Sequence, residues 1–433
     1  MNGSARRIVA GMGANTIGQV VTIGIQLASL PLFLRYWDIS RYGLWLMISA
    51  VPSYFSMADA GMVAAAGNEM TMAVARGDIA TANRVFQTAL IFMLGTCGLL
   101  ALVGLPAALI VPWSLIVDSD RRIALCALIL GVLLSLFGGL SEAIFRATGR
   151  YALGTSLSNC VRLAEWCGWV VGLVFYGSFA SVALCGLVVR VLGLATTIAW
   201  SCKGQHGLQW RFRSARWVEM RAMLRPALSF MAFPLANALS FQGMTILTGV
   251  ILGTSAVAVF NTYRTLARVV VQVTSVFSHA LWTEFSHRFG KRGAEAIKRM
   301  YRRSALVGVR LALGLSLFLY LVGPLLLRLW THGAIPLKSS LMLLMLIYAA
   351  VAAAWHVPRV LLLSTNEHNA LAGWSLCAAV VSLLLTAVLC PVWKLDGAAV
   401  AMLVSEAGIA LICAFLVQSL LKAPSVRAAN GVA

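Results

Sequence analysis

The chain has 433 residues, of which 60% are hydrophobic and only 11% are charged. A soluble domain normally carries about a quarter charged residues, so the mean hydropathy of +0.87 excludes an ordinary soluble protein. The formal net charge of +20 does not indicate a nucleic-acid partner. Most Lys and Arg fall in short segments between apolar runs, as they do in membrane proteins.

Apolar runs recur along the whole chain, each near the length of about 20 residues that a membrane-spanning helix requires. They are continuously apolar and do not alternate as barrel strands do, so they predict helices. We expect an all-α polytopic membrane protein with about twelve transmembrane helices. The predicted spans are 8–34, 42–66, 85–112, 123–145, 152–176, 180–201, 223–249, 255–281, 304–328, 339–363, 370–390 and 397–420.

The distribution of basic residues predicts the orientation of these spans. Arg6 and Arg7 precede the first apolar run, which is too long for a signal peptide and is expected to be an uncleaved helix. The segments predicted to lie on the same side of the membrane as the N-terminus hold 21 Lys and Arg, against seven in the segments on the opposite side. Such an excess is typical of cytoplasmic segments, so we expect both termini in the cytoplasm.

Weak internal similarity relates the two halves of the chain. Arg76-Gly77 matches Arg292-Gly293 at an offset of 216, and Val182-Ala183 matches Val400-Ala401 at an offset of 218. One slowly drifting offset predicts two six-helix bundles related by a parallel pseudo-two-fold repeat. The expected parts are an N-terminal bundle at 1–203, a basic cytoplasmic linker at 204–222, a C-terminal bundle at 223–422 and a cytoplasmic tail at 423–433.

The predicted span 255–281 carries a polar stripe at helical spacing, formed by Asn261, Arg264, Thr265, Arg268, Gln272, Ser275 and His279. Two like charges four residues apart repel each other, and a charge inside a bilayer usually faces a cavity or a partner. A bound anion would explain the stripe, and guanidinium groups suit a diphosphate because they bind it bidentately. Pairing with acidic residues is the alternative, although only Asp59, Glu165 and Glu406 lie well inside predicted spans.

Further charged residues lie within the predicted spans, and each of them either lines a cavity or has a local structural explanation. Arg162 and Glu165 are three residues apart and are able to pair on their own helix. Arg190 has no acid nearby on its helix, which favours a cavity. Arg310 and Arg359 lie nearer the cytoplasmic ends, where snorkelling to the interface explains them.

A neutral stripe on the first span suits either sugar hydroxyls or hydrogen bonds between helices. It consists of Asn15, Gln19, Thr22, Gln26 and Ser29. The predicted substrate-binding residues are Arg264, Arg268, Arg190, Arg162, Asn15, Gln19, Gln26, Asn261 and Gln272. The predicted ion-coupling residues are Asp59, Glu165 and Glu406.

Two short motifs, Tyr42-Gly43-Leu44-Trp45 and Asp59-Ala60-Gly61-Met62, stand in the second span. With the twelve-span layout, they resemble the Wzx-type polysaccharide (O-antigen) flippases of the multidrug/oligosaccharidyl-lipid/polysaccharide exporter superfamily. The resemblance implies a MATE-like fold and a cationic lumen, for which Arg162, Arg190, Arg264 and Arg268 are candidates. It also implies alternating-access movement of an undecaprenyl-diphosphate-linked oligosaccharide across a bacterial inner membrane, as in lipopolysaccharide synthesis.

The partners that this resemblance implies are the lipid-linked oligosaccharide, membrane lipids and the machinery that polymerises the polysaccharide and sets its chain length. H+ or Na+ is a possible coupling ion, and no cofactor is expected.

Three alternatives agree less well with the residues. Drug/cation antiporters of the same superfamily characteristically have an acidic residue in helix 1, which is absent here. Flippases of the MurJ type, which move a peptidoglycan precursor, typically have two further C-terminal helices. An O-antigen polymerase or ligase would carry a large periplasmic loop, and the sequence contains no phosphate-binding loop or nucleophile elbow. We therefore do not expect an enzyme.

Overall fold

The computed structural model describes residues 3–59, 61–110, 118–203, 207–365 and 369–422. These residues are overwhelmingly helical and include no strand, which confirms the predicted all-α class. The chain divides into two compact units, Met1–Pro234 and Leu235–Ala433. The predicted boundaries of the bundles, linker and tail stay a prediction, and the tail at 423–433 lies outside the described residues.

Unit 1 contains seven helices and the start of an eighth. They are α1 (Gly3–Tyr36), α2 (Ile39–Ser53), α3 (Met62–Ala75), α4 (Ile79–Ile110), α5 (Ser119–Ala147), α6 (Tyr151–Phe175), α7 (Phe179–Cys202) and α8 (Trp217–Ala238). Unit 2 continues from the end of α8 through a π-helix at Leu239–Gly243. Its helices are α9 (Met244–Leu252), α10 (Thr254–Ala280), α11 (Trp282–Thr331), α12 (Ser339–Ala354), α13 (His356–Ser364) and α14 (Asn369–Lys422).

Eight helical segments of the described chain are long and apolar enough to cross a bilayer, so the chain is a multi-pass membrane protein. They cover nine of the predicted spans, because the last segment includes both 370–390 and 397–420. The remaining three predicted spans coincide with α2 and α3, with α6 and with α10. The first of these is interrupted, and the other two carry the intramembrane arginines that lower their hydropathy.

The single helix predicted at 42–66, with a kink at Pro52, is broken in the structure. Helix α2 ends at Ser53 and is followed by a 3-10 turn at Tyr54–Met57. Pro52 lies in the last turn of α2, and Gly61 takes a left-handed φ of 76° before α3 begins. Asp59 lies in this break, where its carboxylate accepts the Gly61 N–H at 3.1 Å.

Two other boundaries differ from the prediction. Helix α11 begins at Trp282, so the basic stretch expected between spans continues the helix of the following span. Helix α14 contains both final spans and breaks only at Lys394, whose φ is 53° and ψ is −132°. The break coincides with the short polar segment that separated the two apolar runs in the sequence.

Small residues bring α6 and α7 into close contact. Gly168 and Gly172 form a GxxxG motif on α6, an arrangement that lets helices approach closely within a membrane. A Cβ atom at Gly172 would lie 2.5 Å from the Ser181 carbonyl oxygen, and one at Gly168 would lie 2.9 Å from that of Cys185. The two antiparallel helices are therefore held in a fixed register that also sets which polar side chains face each other.

The linker that follows α7 is bound to α4 by polar side chains of one helix face. Asn83 accepts the Gln209 N–H at 2.9 Å, Gln87 accepts the Ser214 N–H at 2.7 Å, and Thr88 accepts the Arg216 N–H at 3.1 Å. These bonds satisfy backbone donors that have no secondary structure of their own. The described part of the predicted linker is therefore an ordered component of unit 1.

Candidate functional site

Arg264 lies in the interior of unit 2, on the polar face of α10. Its side chain is 6% exposed. One Nη donates to the Phe241 carbonyl at 3.0 Å, and the other donates to the Thr245 hydroxyl at 2.8 Å and to the side-chain oxygen of Asn261. The rings of Phe241 and Phe260 lie 5.0 and 5.3 Å from the guanidinium carbon. All of these partners are electrically neutral.

The π-helix at Leu239–Gly243 supplies the acceptor for Arg264. A single π-helical turn interrupts the regular i to i−4 bonding of a helix and is frequent at functional sites. Here the Phe241 carbonyl accepts both from Arg264 and from the Thr245 hydroxyl, the latter at 2.9 Å. Arg264 therefore ties α10 to the irregular turn between α8 and α9.

Arg268 lies one turn further along α10 and is half-buried. Its guanidinium carbon is 4.7 Å from the centre of the Phe241 ring, so the same aromatic side chain contacts both arginines. Tyr348 of α12 lies within electrostatic range of both. Among the described side chains, no carboxylate oxygen lies within 4.0 Å of either guanidinium group.

The amides predicted with these arginines differ in their surroundings. Asn261 donates to the Val257 carbonyl at 3.0 Å and accepts from Arg264, so it serves the buried arginine. Gln272 is half-buried one turn beyond Arg268. The structure thus brings Asn261, Arg264 and Arg268 together around Phe241.

Glu406 belongs to a different cluster within unit 2. Its carboxylate accepts from the Trp355 indole N–H at 2.7 Å. The guanidinium carbon of Arg359 lies 5.5 Å from the centre of the Trp355 ring. Glu406 is therefore held by Trp355, which lies between α12 and α13, and it is not an ion-pair partner of Arg264 or Arg268.

In unit 1, Arg190 and Glu165 form an ion pair between α7 and α6. The Arg190 Nε donates to one carboxylate oxygen at 3.1 Å, and an Nη donates to the other. The side chains are 23% and 12% exposed, respectively. Glu165 thus pairs with Arg190 and not with Arg162, because the close register of α6 and α7 lets Arg190 reach across.

Arg162 instead donates to the Thr22 hydroxyl of α1 at 2.9 Å. Trp166 donates to Ser29 at 2.9 Å, and Tyr151 donates to the side-chain oxygen of Asn15 at 3.1 Å. Part of the neutral stripe on α1 therefore joins α1 to α6. Of the other predicted residues on this helix, Gln19 is exposed and Gln26 is half-buried.

A polar pocket of about 310 Å³ lies between α5, α6 and α7, entirely within unit 1. Its charged lining groups are Glu142, Arg162 and Arg190, and Ser135, Ser158 and Thr197 add hydroxyl groups. The Glu142 carboxylate accepts from the Thr155 hydroxyl at 3.4 Å. The pocket brings the predicted residues Arg162 and Arg190 together with Glu142, which the sequence did not single out as a site residue.

Phe241 and Tyr348 complete the surroundings of the α10 arginines, and neither was recognised from the sequence. Both are apolar or weakly polar residues inside apolar runs, so neither stands out. The available signal was Gln242-Gly243 in the middle of the seventh predicted span, where a polar residue and a glycine interrupt the run.

The structure is similar to solved structures of MATE transporters over nearly the whole chain. One is an inward-facing multidrug resistance MATE family transporter of the MOP superfamily, with a TM-score of 0.72, 14% identity, and coverage of 93% of this chain and 99% of that one. Another is the outward-facing conformation of such a transporter, with a TM-score of 0.58, 14% identity, and coverage of 96% and 95%. The fold is MATE-like.

A third similar structure is MATE in complex with MaL6, with a TM-score of 0.61, 14% identity, and coverage of 96% of this chain and 95% of that one. The MATE-like fold expected from the sequence is confirmed by these similarities. Comparison with protein-family models and with curated proteins gives no match.

Proposed function

We propose that this protein moves an undecaprenyl-diphosphate-linked oligosaccharide from the cytoplasmic to the periplasmic leaflet of a bacterial inner membrane. The transport mechanism is alternating access, with no enzymatic step and with both termini in the cytoplasm. The MATE-like fold supports transport, because similar structures include inward-facing and outward-facing conformations of a transporter. Many membrane transporters work by rocking one repeat against the other around a substrate site.

The observation that carries the proposal is the set of partners around Arg264 and Arg268. Two guanidinium groups one helical turn apart share the ring of Phe241, and the acceptors of Arg264 are neutral, without a described carboxylate at ion-pairing distance of either group. A charge inside a membrane protein is costly without a counter-charge and often marks a substrate pathway. An anionic substrate supplies that counter-charge, and a diphosphate matches the guanidinium fork.

The two arginines have different roles in this proposal. Arg264 is committed to Phe241, Thr245 and Asn261, and it fixes the shape of the site. Arg268 is half-buried and lies over the Phe241 ring, so its N–H groups contact the diphosphate. Gln272, one turn beyond, contacts the part of the substrate next to the diphosphate.

Ion coupling is assigned to Glu406. Glu165 is already held in an ion pair with Arg190, and Asp59 accepts a backbone N–H in the break before α3. Glu406 lies on a membrane helix beside Trp355 and within electrostatic range of Arg359, where a change in its protonation alters the charge near Tyr348. A polysaccharide polymerase and its chain-length regulator are the protein partners that would act on the delivered glycan.

A drug/cation antiporter is the second candidate, favoured because one of the similar structures is that of a multidrug resistance transporter. A cationic drug would be repelled by Arg264 and Arg268, and the sequence of α1 contains no Asp or Glu. Drug susceptibility of a deletion strain separates the two functions. Hypersensitivity to cationic drugs with normal surface polysaccharide would favour the antiporter.

The direct test is complementation of a strain from which the gene has been deleted. Arg268→Gln is expected to lower the export of surface polysaccharide by about tenfold or more, because a charged hydrogen bond to the substrate is lost. Lipid-linked glycan should accumulate on the cytoplasmic side. Arg310→Gln is the matched control, since it makes the same change at an exposed position of α11. Export at the wild-type level by Arg268→Gln, with equal amounts of inserted protein, would contradict the proposal.

A further inference from the structure

The polar pocket of unit 1 differs chemically from the arginine pair on α10. Its three walls are α5, α6 and α7, two of which are apolar enough to span a membrane. Polar side chains in such helices usually face one another or a water-filled cavity. The pocket volume of about 310 Å³ is at the lower end of the range of about 300–1,000 Å³ found for small-molecule sites.

The formal charges around the pocket cancel. Arg162 and Glu142 line it directly, and Arg190 lines it while paired with Glu165. A diphosphate placed there would meet the negative charge of Glu142 as well as the positive charge of Arg162. A cation would in turn meet Arg162. The balance of charges favours a ligand that is uncharged.

The lining groups present both hydrogen-bond donors and acceptors. Arg162 uses one Nη for Thr22, and guanidinium has further N–H donors. The Glu142 carboxylate accepts a long bond of 3.4 Å from Thr155 and has further acceptor sites. Ser135 and Thr197 donate to their own helix backbones, so their oxygens remain able to accept. A ring with several hydroxyl groups requires such a mixture.

We propose that this pocket binds one uncharged sugar ring of the transported glycan. The inference rests on the proposed function and adds to it a glycan site within unit 1 alone. It gives Arg162 a role in binding hydroxyl groups and Arg190 a role in shaping the wall through Glu165.

Gly138 offers a position from which a larger side chain would enter the pocket. It lines the pocket, and a Cβ atom built on it meets no other atom within 4 Å. Gly131 lies two turns earlier on the same helix, also has open space at its Cβ, and does not line the pocket. Gly138→Leu and Gly131→Leu therefore make the same chemical change, and only the first one fills the site.

The experiment uses the full-length protein in lipid nanodiscs and measures the thermal unfolding midpoint with added ligand. The probes are glucose, galactose, mannose, rhamnose and N-acetylglucosamine, with inorganic diphosphate in a separate arm. A ligand that binds only the folded state raises this midpoint. At least one sugar should stabilise the wild type and Gly131→Leu, with an apparent Kd raised by about tenfold or more in Gly138→Leu.

Glu142→Gln is the second variant, in case Gly138→Leu fails to fold. It keeps the size of the side chain and removes the charged acceptor, and the apparent Kd for the sugar is expected to rise by about threefold to tenfold. The inference is overturned if no sugar in this set stabilises the wild type. It is also overturned if the apparent Kd of the stabilising sugar is unchanged in whichever of Gly138→Leu and Glu142→Gln folds. The measurement with inorganic diphosphate tests the proposed function separately. The rise in unfolding midpoint that diphosphate causes should be lost in Arg268→Gln and kept in Gly138→Leu.

Discussion

Arginines interrupt the apolar helices in both units, but Arg190 of unit 1 and the two arginines on α10 of unit 2 have different kinds of partner. In unit 1 a carboxylate of the neighbouring helix accepts from the Nε and one Nη of Arg190. In unit 2 a carbonyl, a hydroxyl, an amide oxygen and aromatic rings surround Arg264, and the Phe241 ring also contacts Arg268. The first arrangement is complete by itself, whereas the second retains uncompensated positive charge. An arginine within a membrane helix is therefore an indication of anion binding only after its partners are known.

Within unit 2, we propose that Arg264 stabilises the helix packing and that Arg268 binds the ligand. Arg264 has the contacts of a buried structural side chain, although its charge still contributes to the potential at Arg268. Arg268 has one aromatic contact and a half-buried position. Replacing the two residues should therefore affect stability and transport to different extents.

The largest effect on stability is expected from breaking the ion pair of unit 1. Glu165→Gln or Arg190→Gln leaves a mostly buried charge without its counter-charge, which in buried pairs costs about 3–5 kcal/mol. Since Arg190 is 23% exposed, we expect the lower end of that range. The measurement is the free energy of unfolding in detergent micelles.

The double variant Glu165→Gln/Arg190→Gln tests the cause of that loss. It removes both charges, so most of the stability lost in either single variant should return. Additive losses in the double variant would mean that the two side chains act independently. Arg268→Gln, measured in parallel, should lower the free energy of unfolding by only about 1 kcal/mol or less, through loss of its contact with Phe241.

The sequence was sufficient for the fold class because the length and polarity of an apolar run decide whether it forms a spanning helix. The arginines were also found from the sequence, since a charge inside such a run is rare. Pro52 predicted a kink in the second span, but a kink did not indicate that the helix would end at Ser53 and restart at Met62. The sequence did not predict that α11 begins at Trp282, upstream of the predicted span 304–328. The basic stretch before 304 is helical, but a charged helix outside the membrane has no run of apolar residues by which to recognise it.

The partners of the arginines were beyond the reach of sequence spacing. Glu165 is three residues from Arg162 and 25 from Arg190, yet it pairs with the latter. That choice follows from the register that Gly168 and Gly172 impose on α6 and α7. The acceptor for Arg264 is a backbone carbonyl in a π-helix, a group that every residue possesses. Contacts between helices therefore decide the chemistry of arginines that the sequence only places within spans.

A smaller loss of stability is expected from Arg264→Gln in unit 2. The Phe241 carbonyl and the Thr245 hydroxyl lose a charged donor, and leaving buried polar groups with fewer partners costs about 1–3 kcal/mol. Arg264→Lys keeps the charge but lacks the planar fork, so it should recover only part of the loss. Thermal unfolding in the same micelles should give the highest midpoint for the wild type, a lower one for Arg264→Lys and the lowest for Arg264→Gln. Unchanged unfolding of Arg264→Gln would show that Arg264 does not fix the π-helix.

The smallest effect concerns the ring that both α10 arginines share. Phe241→Leu keeps an apolar side chain but removes the aromatic face, and each cation–π contact contributes about 0.5–2 kcal/mol. A double-mutant cycle with Arg268→Gln isolates the contact between Phe241 and Arg268, whose 4.7 Å separation is the shorter of the two. Its coupling energy should be about 1 kcal/mol or less, well below the value for Glu165 and Arg190. A coupling as large as that of the ion pair would mean that neutral groups compensate Arg268 as fully as a carboxylate compensates Arg190. In that case the charge on Arg268 would no longer require an anionic substrate, and a drug/cation antiporter would become the better proposal for the function of this protein.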